Sequence, residues 1–163
     1  MQIVTDSGTD VNFTAEEMAA LNVHVVPLSV SLEGKSYREG VDIQPDEFYH
    51  LLDESHALPV TSQPPAGEFA ALYRQLALKD PDILSIHISS GLSGTSDSAR
   101  AGAEMVPEAQ VKVIDTKTLS VPSGWQVEAA ARAAKAGWGM EKVIDLVNRI
   151  GAATDVLYTL KEL

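Results

Sequence analysis

The sequence predicts an α/β fold with a mostly parallel sheet and helices on both faces. Three observations lead there: short β-branched runs alternate with helical stripes, each gap between runs is long enough for a helix, and small polar loops follow three of the strands. With 163 residues, 45% hydrophobic and 21% charged, and a mean hydropathy near zero, the chain suits one globular domain with a sizeable core.

Gln2 to Thr5 is a short apolar strand, and Thr14 to Leu21 sets Ala15, Met18, Ala19 and Leu21 at helical spacing. Thr14 and Glu17 form a capping box, so the first helix has a defined start. His24 to Leu32 alternates like a strand, but Pro27 cannot donate to a ladder and marks an edge or bulge; Glu33 and Gly34 then turn the chain. Pro45 opens a helix through Phe48, Tyr49, Leu51 and Leu52 that ends before Pro59. Thr61-Ser62-Gln63-Pro64-Pro65 is a stiff polar loop, after which Phe69, Leu72, Tyr73 and Leu76 line a helical face.

Ile83 to Ile88 is a buried-type strand, followed by the loop Ser89 to Ser96 and a helix near Asp97 to Met105. Val111 to Asp115 repeats the plan, with a polar loop to Gly124 and an Ala-rich helix ending near Gly137. Val143, Ile144, Val147 and Ile150 form the last helical stripe, and Asp155 to Leu160 has the pattern of another strand.

Composition removes several function classes. The chain has no cysteine, hence no disulfide, thiolate nucleophile or Cys-ligated metal. The net charge is −11, and residues 1–60 carry 11 of the 23 acidic but only 2 of the 12 basic side chains, so nucleic acid is a poor partner. The first residues lack the basic and apolar regions of a signal peptide, and no apolar run approaches the ~20 residues that span a bilayer. The expectation is a cytoplasmic protein with no stable membrane insertion.

In open parallel sheets, ligands bind beyond the carboxyl ends of the strands, where helix starts favour anions. Three loops have that position: Thr5 to Asp10, Ser89 to Ser96 and Asp115 to Ser120. Their hydroxyls and glycines suit an anionic head, although a serine and glycine loop after a strand is also an ordinary turn and helix cap. Gly91-Leu92-Ser93-Gly94-Thr95 departs from the nucleophile elbow at Thr95, which a glycine would have to replace, and both common nucleotide-binding glycine motifs are missing. His24, His50, His56 and His87 have no supporting pattern as bases, and His87 within its apolar strand reads as a hydrogen-bonded core residue. Asp6, Asp10, Asp42 and Asp115 are scattered over different loops, which favours capping over a Mg²⁺ site, so no metal is expected.

Thr5-Asp6-Ser7, Val26-Pro27-Leu28, Thr61-Ser62-Gln63-Pro64, Ser90-Gly91-Leu92-Ser93-Gly94-Thr95 and Val113-Ile114-Asp115 together resemble the DegV family, in family order and over nearly the whole chain. That family includes the fatty-acid-binding subunits of bacterial fatty acid kinase. The resemblance implies two α/β subdomains with a fatty acid between them, its carboxylate held by Thr61 and Ser93, with Ser62, Gly94, Thr95 and Ser7 as further candidates. It also implies a carrier without catalysis or cofactor that presents the acid to a separate ATP-dependent kinase. A small serine hydrolase or transferase using Ser93, or a module for phosphorylated ligands, is the alternative.

The chain departs from the family at Glu39, where Tyr-x-Asp-Gly is usual, at Thr116, where serine is common, and at Pro122, where glycine is expected. Residues 1–163 match the first subdomain and stop where the second should begin, so the expectation is a truncated unit with an exposed apolar surface that self-associates.

Overall fold

A computed structural model describes residues 1–157 and 159. Four strands, β1 (Gln2–Asp6), β2 (Val23–Val26), β6 (Asp82–His87) and β7 (Gln110–Asp115), form an all-parallel sheet in the order β2-β1-β6-β7. A smaller antiparallel sheet, in the order β4-β3-β5, joins β3 (Ser29–Leu32), β4 (Lys35–Arg38) and β5 (Val60–Ser62). The helices are α1 (Ala15–Leu21), α2 (Pro45–Glu54), α3 (Ala66–Ala77), α4 (Thr95–Glu104), α5 (Ser120–Lys135) and α6 (Met140–Ala152). Among the described residues, no helix is long and apolar enough to cross a membrane.

Every residue of β1 is buried, as a central parallel strand covered on both faces requires. Alternation then assigns the faces. Ile3 turns toward Leu84, Ile86, Val127, Ala130, Ala131, Val143 and Val147, in the layer of α5 and α6. Val4 turns the other way, toward Ile83, Phe69, Tyr73, Leu76, Ala99 and Val106, in the layer of α3 and α4. Each large aliphatic or aromatic side chain buried in these layers contributes roughly 1.5–3 kcal/mol before conformational entropy is subtracted. The Thr14 capping box is present, with Glu17 N–H donating to Thr14 Oγ1 at 3.2 Å and Thr14 N–H to Glu17 Oε2 at 2.9 Å.

The run from His24 to Leu32 is two strands in two different sheets. Pro27 has no N–H, so the ladder of β2 stops there, and Leu28 donates its N–H to Ser7 Oγ at 2.8 Å instead. Glu33 (φ 51°) and Gly34 (φ 79°) make a two-residue left-handed turn, which brings Lys35 opposite Leu32. Thr61 and Ser62 lie in a strand, not a loop, because β5 borrows the open edge of β3 and sets Thr61 opposite Val30. Helix α5 starts at Ser120, ahead of Gly124, since Pro122 is tolerated in a first turn. Asp155 to Leu157 and Thr159 carry no strand; Tyr158 and Leu160 of that expected element lie outside the described residues.

Gly102 is where α4 meets α3. A Cβ there would stand 2.6 Å from Phe69 Cβ and 2.8 Å from the Ala66 carbonyl oxygen. Gly102→Ala is therefore expected to destabilise the fold by about 1–3 kcal/mol through overpacking. Gly67→Ala, with open space around it, should produce no loss; urea unfolding of the two variants measures the difference.

Candidate functional site

Strand order reverses between β1 and β6, since the chain leaves β1 toward β2 and later returns on the opposite side. Loops diverge at such a switch point, opening a crevice at the carboxyl ends of the strands. Here they are tied together. Ser120 N–H donates to the Gly8 carbonyl at 2.9 Å, Asp10 N–H to the Ser120 carbonyl at 3.3 Å, and Ser89 N–H to the Thr118 carbonyl at 2.7 Å. Ser120 Oγ donates to Asp10, and Ser90 Oγ to Asp115 Oδ2 at 2.6 Å. Gly124 allows the closest approach, because a Cβ there would fall 2.0 Å from the Asp10 carbonyl oxygen.

Beside these loops lies a cleft of about 700 Å³, within the range of small-molecule sites. Val11, Met18, Val25, Pro27, Val30, Ile43 and Phe48 make its walls apolar, while Ser7, Thr9, Glu39 and Thr61 supply polar atoms. Helix α2 contributes Phe48 and Tyr49 and has no fully buried residue, so its apolar face is spent on the cleft. Ser7 Oγ is already engaged, donating to Glu39 Oε2 at 2.7 Å while accepting from Leu28 N–H.

The expected head-group residues come from two adjoining segments. Thr61 lines the cleft and Ser93 does not, but a Cβ on Gly94 would meet Gln63 Nε2 at 2.8 Å, so the segments 61–64 and 90–95 touch. Half-buried Ser93 shares a 2.8 Å hydroxyl–hydroxyl bond with Thr95 and accepts from Thr95 N–H at 3.3 Å. Thr95 is buried as the first residue of α4, whose N-terminus adds partial positive charge beside Ser93 and Gly94. Ser62 is exposed and paired with Ser29 across β5 and β3.

Each aspartate weighed as a metal ligand has another task. Arg38 grips Asp42 through two bonds of 2.8 Å and holds its carboxyl at about 2. Asp10 takes Ser120, Asp115 takes Ser90 and Lys117 N–H, and Asp6 lies fully buried against His87. His24 bonds Gln2 at 2.9 Å, and burial, helped by Lys79, pushes its pKa down. His50 and His56 are exposed.

His87 is the core histidine expected, and its partners are what the sequence pattern leaves out. Its Nδ1 is 2.8 Å from Asp6 Oδ2, its Nε2 is 2.6 Å from Ser85 Oγ, and Ser85 Oγ is 2.7 Å from the Tyr73 hydroxyl. The order Ser–His–Asp is that of a hydrolase, yet all three side chains are completely buried. Ser85 and His87, two apart in a buried strand, are the signal that could have found them: period two puts both on one face, where only paired polar groups are tolerated.

A family model described as an uncharacterised protein of the DegV family matches residues 1–163. A DegV domain-containing protein of Staphylococcus aureus is 39% identical over 148 residues, covering 91% of this chain and 52% of that protein. A DegV family protein of Thermus thermophilus, described as fatty acid binding, superimposes with a TM-score of 0.83 at 36% identity, over 93% of this chain and 53% of that one. DegV of Bacillus subtilis, described as a fatty acid binding protein, gives 0.86 at 33% identity over the same shares. The chain spans about half the length of these relatives.

The Ser90–Asp115 tie is testable by pH. Burial works to raise the Asp115 carboxyl, and the bonds from Ser90 Oγ and from the Lys117 and Ser90 amides outweigh it, leaving the group below its ordinary value. A carboxyl held low in the fold adds stability above the unfolded value near pH ~4 and loses it as pH falls through the folded value. Wild-type protein is expected to lose more stability than Asp115→Asn between about pH 5 and about pH 3. Urea unfolding across that window measures it, and superimposable pH profiles would refute the role given to the tie.

Proposed function

The chain belongs to the DegV family, and from that premise we propose that it binds a long-chain fatty acid, tail in the apolar cleft and carboxylate between the Thr61 and Ser93 segments. The observation that supports this most directly is the junction itself. Thr61 is one of the polar residues lining the apolar cleft, and Gln63, two residues on, lies against Gly94 in the serine loop that leads into α4. An acyl tail gains by leaving water, at about 0.8 kcal/mol per buried CH₂. Its head needs donors, which hydroxyls, loop amides and a helix N-terminus provide. Gly94, Thr95, Ser62 and Ser7 complete the proposed surroundings, Thr95 by orienting Ser93 and Ser7 by bracing the cleft wall against Glu39.

The proposed role is that of a carrier that presents the carboxylate to a separate ATP-dependent kinase. Ser93 has Thr95 as its hydroxyl partner and no histidine bonded to it among the described residues, which weighs against its service as a nucleophile. The buried Ser85 could not reach a substrate without opening the core.

Thr61→Ala and Ser93→Ala are each expected to weaken oleate binding by roughly tenfold to a hundredfold, the value of one hydrogen bond to a charged group. Titration by calorimetry reads the change, and unaltered affinity in both variants would overturn the head-group assignment. Incubated with oleate, ATP and Mg²⁺, the protein alone is expected to form no acyl phosphate. Product detected by mass spectrometry without an added kinase would contradict the carrier role.

A further inference from the structure

The buried polar chain at the carboxyl ends of β1 and β6 is unused by the function proposed above. Tyr73, Ser85, His87 and Asp6 are each completely buried, on the α3 and α4 face of the sheet, with the Phe69 ring edge-on to His87 at 5.1 Å between centroids. His87 Nδ1 meets Asp6 Oδ2, His87 Nε2 meets Ser85 Oγ, and Ser85 Oγ meets the Tyr73 hydroxyl, so the four side chains form one continuous hydrogen-bonded chain. The chain runs toward Asp6, and Asp6 faces the loops. Its Oδ2 also accepts from Ile88 N–H at 3.1 Å, and its Oδ1 accepts from Gly8 N–H at 3.0 Å.

One carboxylate thus holds the first residues of two loops at the switch point. The loop from Ser7 leads to the cleft wall, and the loop from Ile88 leads to Ser93. The two are in contact at that spot, where a Cβ on Gly8 would lie 3.0 Å from Ile88 Cδ1 and 3.2 Å from Asp6 Oδ1. Apolar side chains would fill this space at less desolvation cost, so a buried carboxylate with a three-residue hydrogen-bonded backing needs a reason beyond stability.

We propose that Asp6 is a positioning residue for the ligand head group, clamping the Gly8 and Ile88 amides with a carboxylate that His87, Ser85 and Tyr73 hold in one orientation. The clamp sets the separation of the two loops and hence where Ser93 stands relative to the cleft. This inference rests on the fatty-acid reading of the site. Asp6→Asn keeps the volume but turns one acceptor into a donor, which cannot receive the amide proton now pointing at it.

The test compares oleic acid with oleyl alcohol, which share a tail and differ in the head, and adds amide hydrogen exchange on the ligand-free protein. In Asp6→Asn the ratio of acid to alcohol affinity is expected to fall about tenfold with alcohol affinity within about twofold of wild type. Exchange at Gly8, Ile88 and Thr95 is expected to speed up while amides in α5 and α6 keep their protection. A purely structural residue would lower both affinities together, and that result overturns the proposal. If Asp6→Asn does not fold, Tyr73→Phe decides: it removes the far hydroxyl and is expected to lower the same ratio about threefold with little loss of stability, and an unchanged ratio overturns the proposal. Wild-type protein that binds neither lipid overturns the fatty-acid reading together with this inference. Wild-type protein that binds the acid, beside an Asp6→Asn variant with unchanged exchange and ratio, overturns this inference alone.

Discussion

The structure depends on the burial of β1 between β2 and β6. A central parallel strand has no solvent face, so Ile3 and Val4 must serve two separate cores, and each helix layer is assembled against one of them. The same constraint governs the chain at the carboxyl end of the strand. At Asp6 the backbone is still inside, Pro27 ends β2 alongside it, and β6 ends at His87 on its other side. Asp6 and His87 at these strand ends have no water to turn to and bond each other, while the buried Thr5 hydroxyl beside them finds no partner among the described residues. Hydrophobic continuity and the buried polar chain at the strand ends are two results of one topological choice, the reversal of strand order at β1.

Charge distribution separates the site from its surroundings. Residues 1–60 are strongly acidic, yet the acids around the cleft are occupied: Glu39 by Ser7, Asp42 by Arg38, Asp10 by Ser120. A carboxylate entering beside them would feel a negative field over distances of about a Debye length, ~8–10 Å at ordinary ionic strength. What opposes that field locally is short in range, namely hydroxyls, loop amides and the α4 N-terminus. Under the proposed function, such a site suits a ligand whose tail supplies most of the binding energy and whose head needs orientation more than attraction.

The parts of the fold visible in the sequence are those determined by neighbours in the chain. The Thr14 and Glu17 box, the Glu33 and Gly34 turn, Pro45 at a helix start and the Phe69 to Leu76 stripe each depend on residues within one or two turns, and each stands where its pattern puts it. The misplaced elements depend on partners far away. Val60 to Ser62 become a strand only because β3 offers an edge, and His24 to Leu32 divide because the segments before and after Pro27 pair with different sheets. For the site, the segments carrying Thr61 and Ser93 are legible as polar stretches, while their contact through Gln63 and Gly94 joins positions about thirty residues apart. The cleft is invisible for a related reason: Val11, Val30 and the pair Ile43 and Phe48 come from three separate parts of the chain whose local patterns describe only ordinary amphipathic surfaces.

The neutral donors proposed for the head group have a consequence for the proposed carrier role. A lysine or arginine at the head-group position would bind a carboxylate more strongly, but it would also have to be left unpaired in a partly buried site once the ligand departed, at several kcal/mol. Hydroxyls avoid that difficulty, since Ser93 and Thr95 already hydrogen-bond each other without a ligand and can return to that state after release. The requirement then moves from strength to placement: hydroxyl bonds weaken steeply with misalignment, so the loops that carry them must be held still. That is the demand a buried carboxylate joined to two loop amides can meet, and it connects a completely buried polar group to the most exposed step of the proposed function.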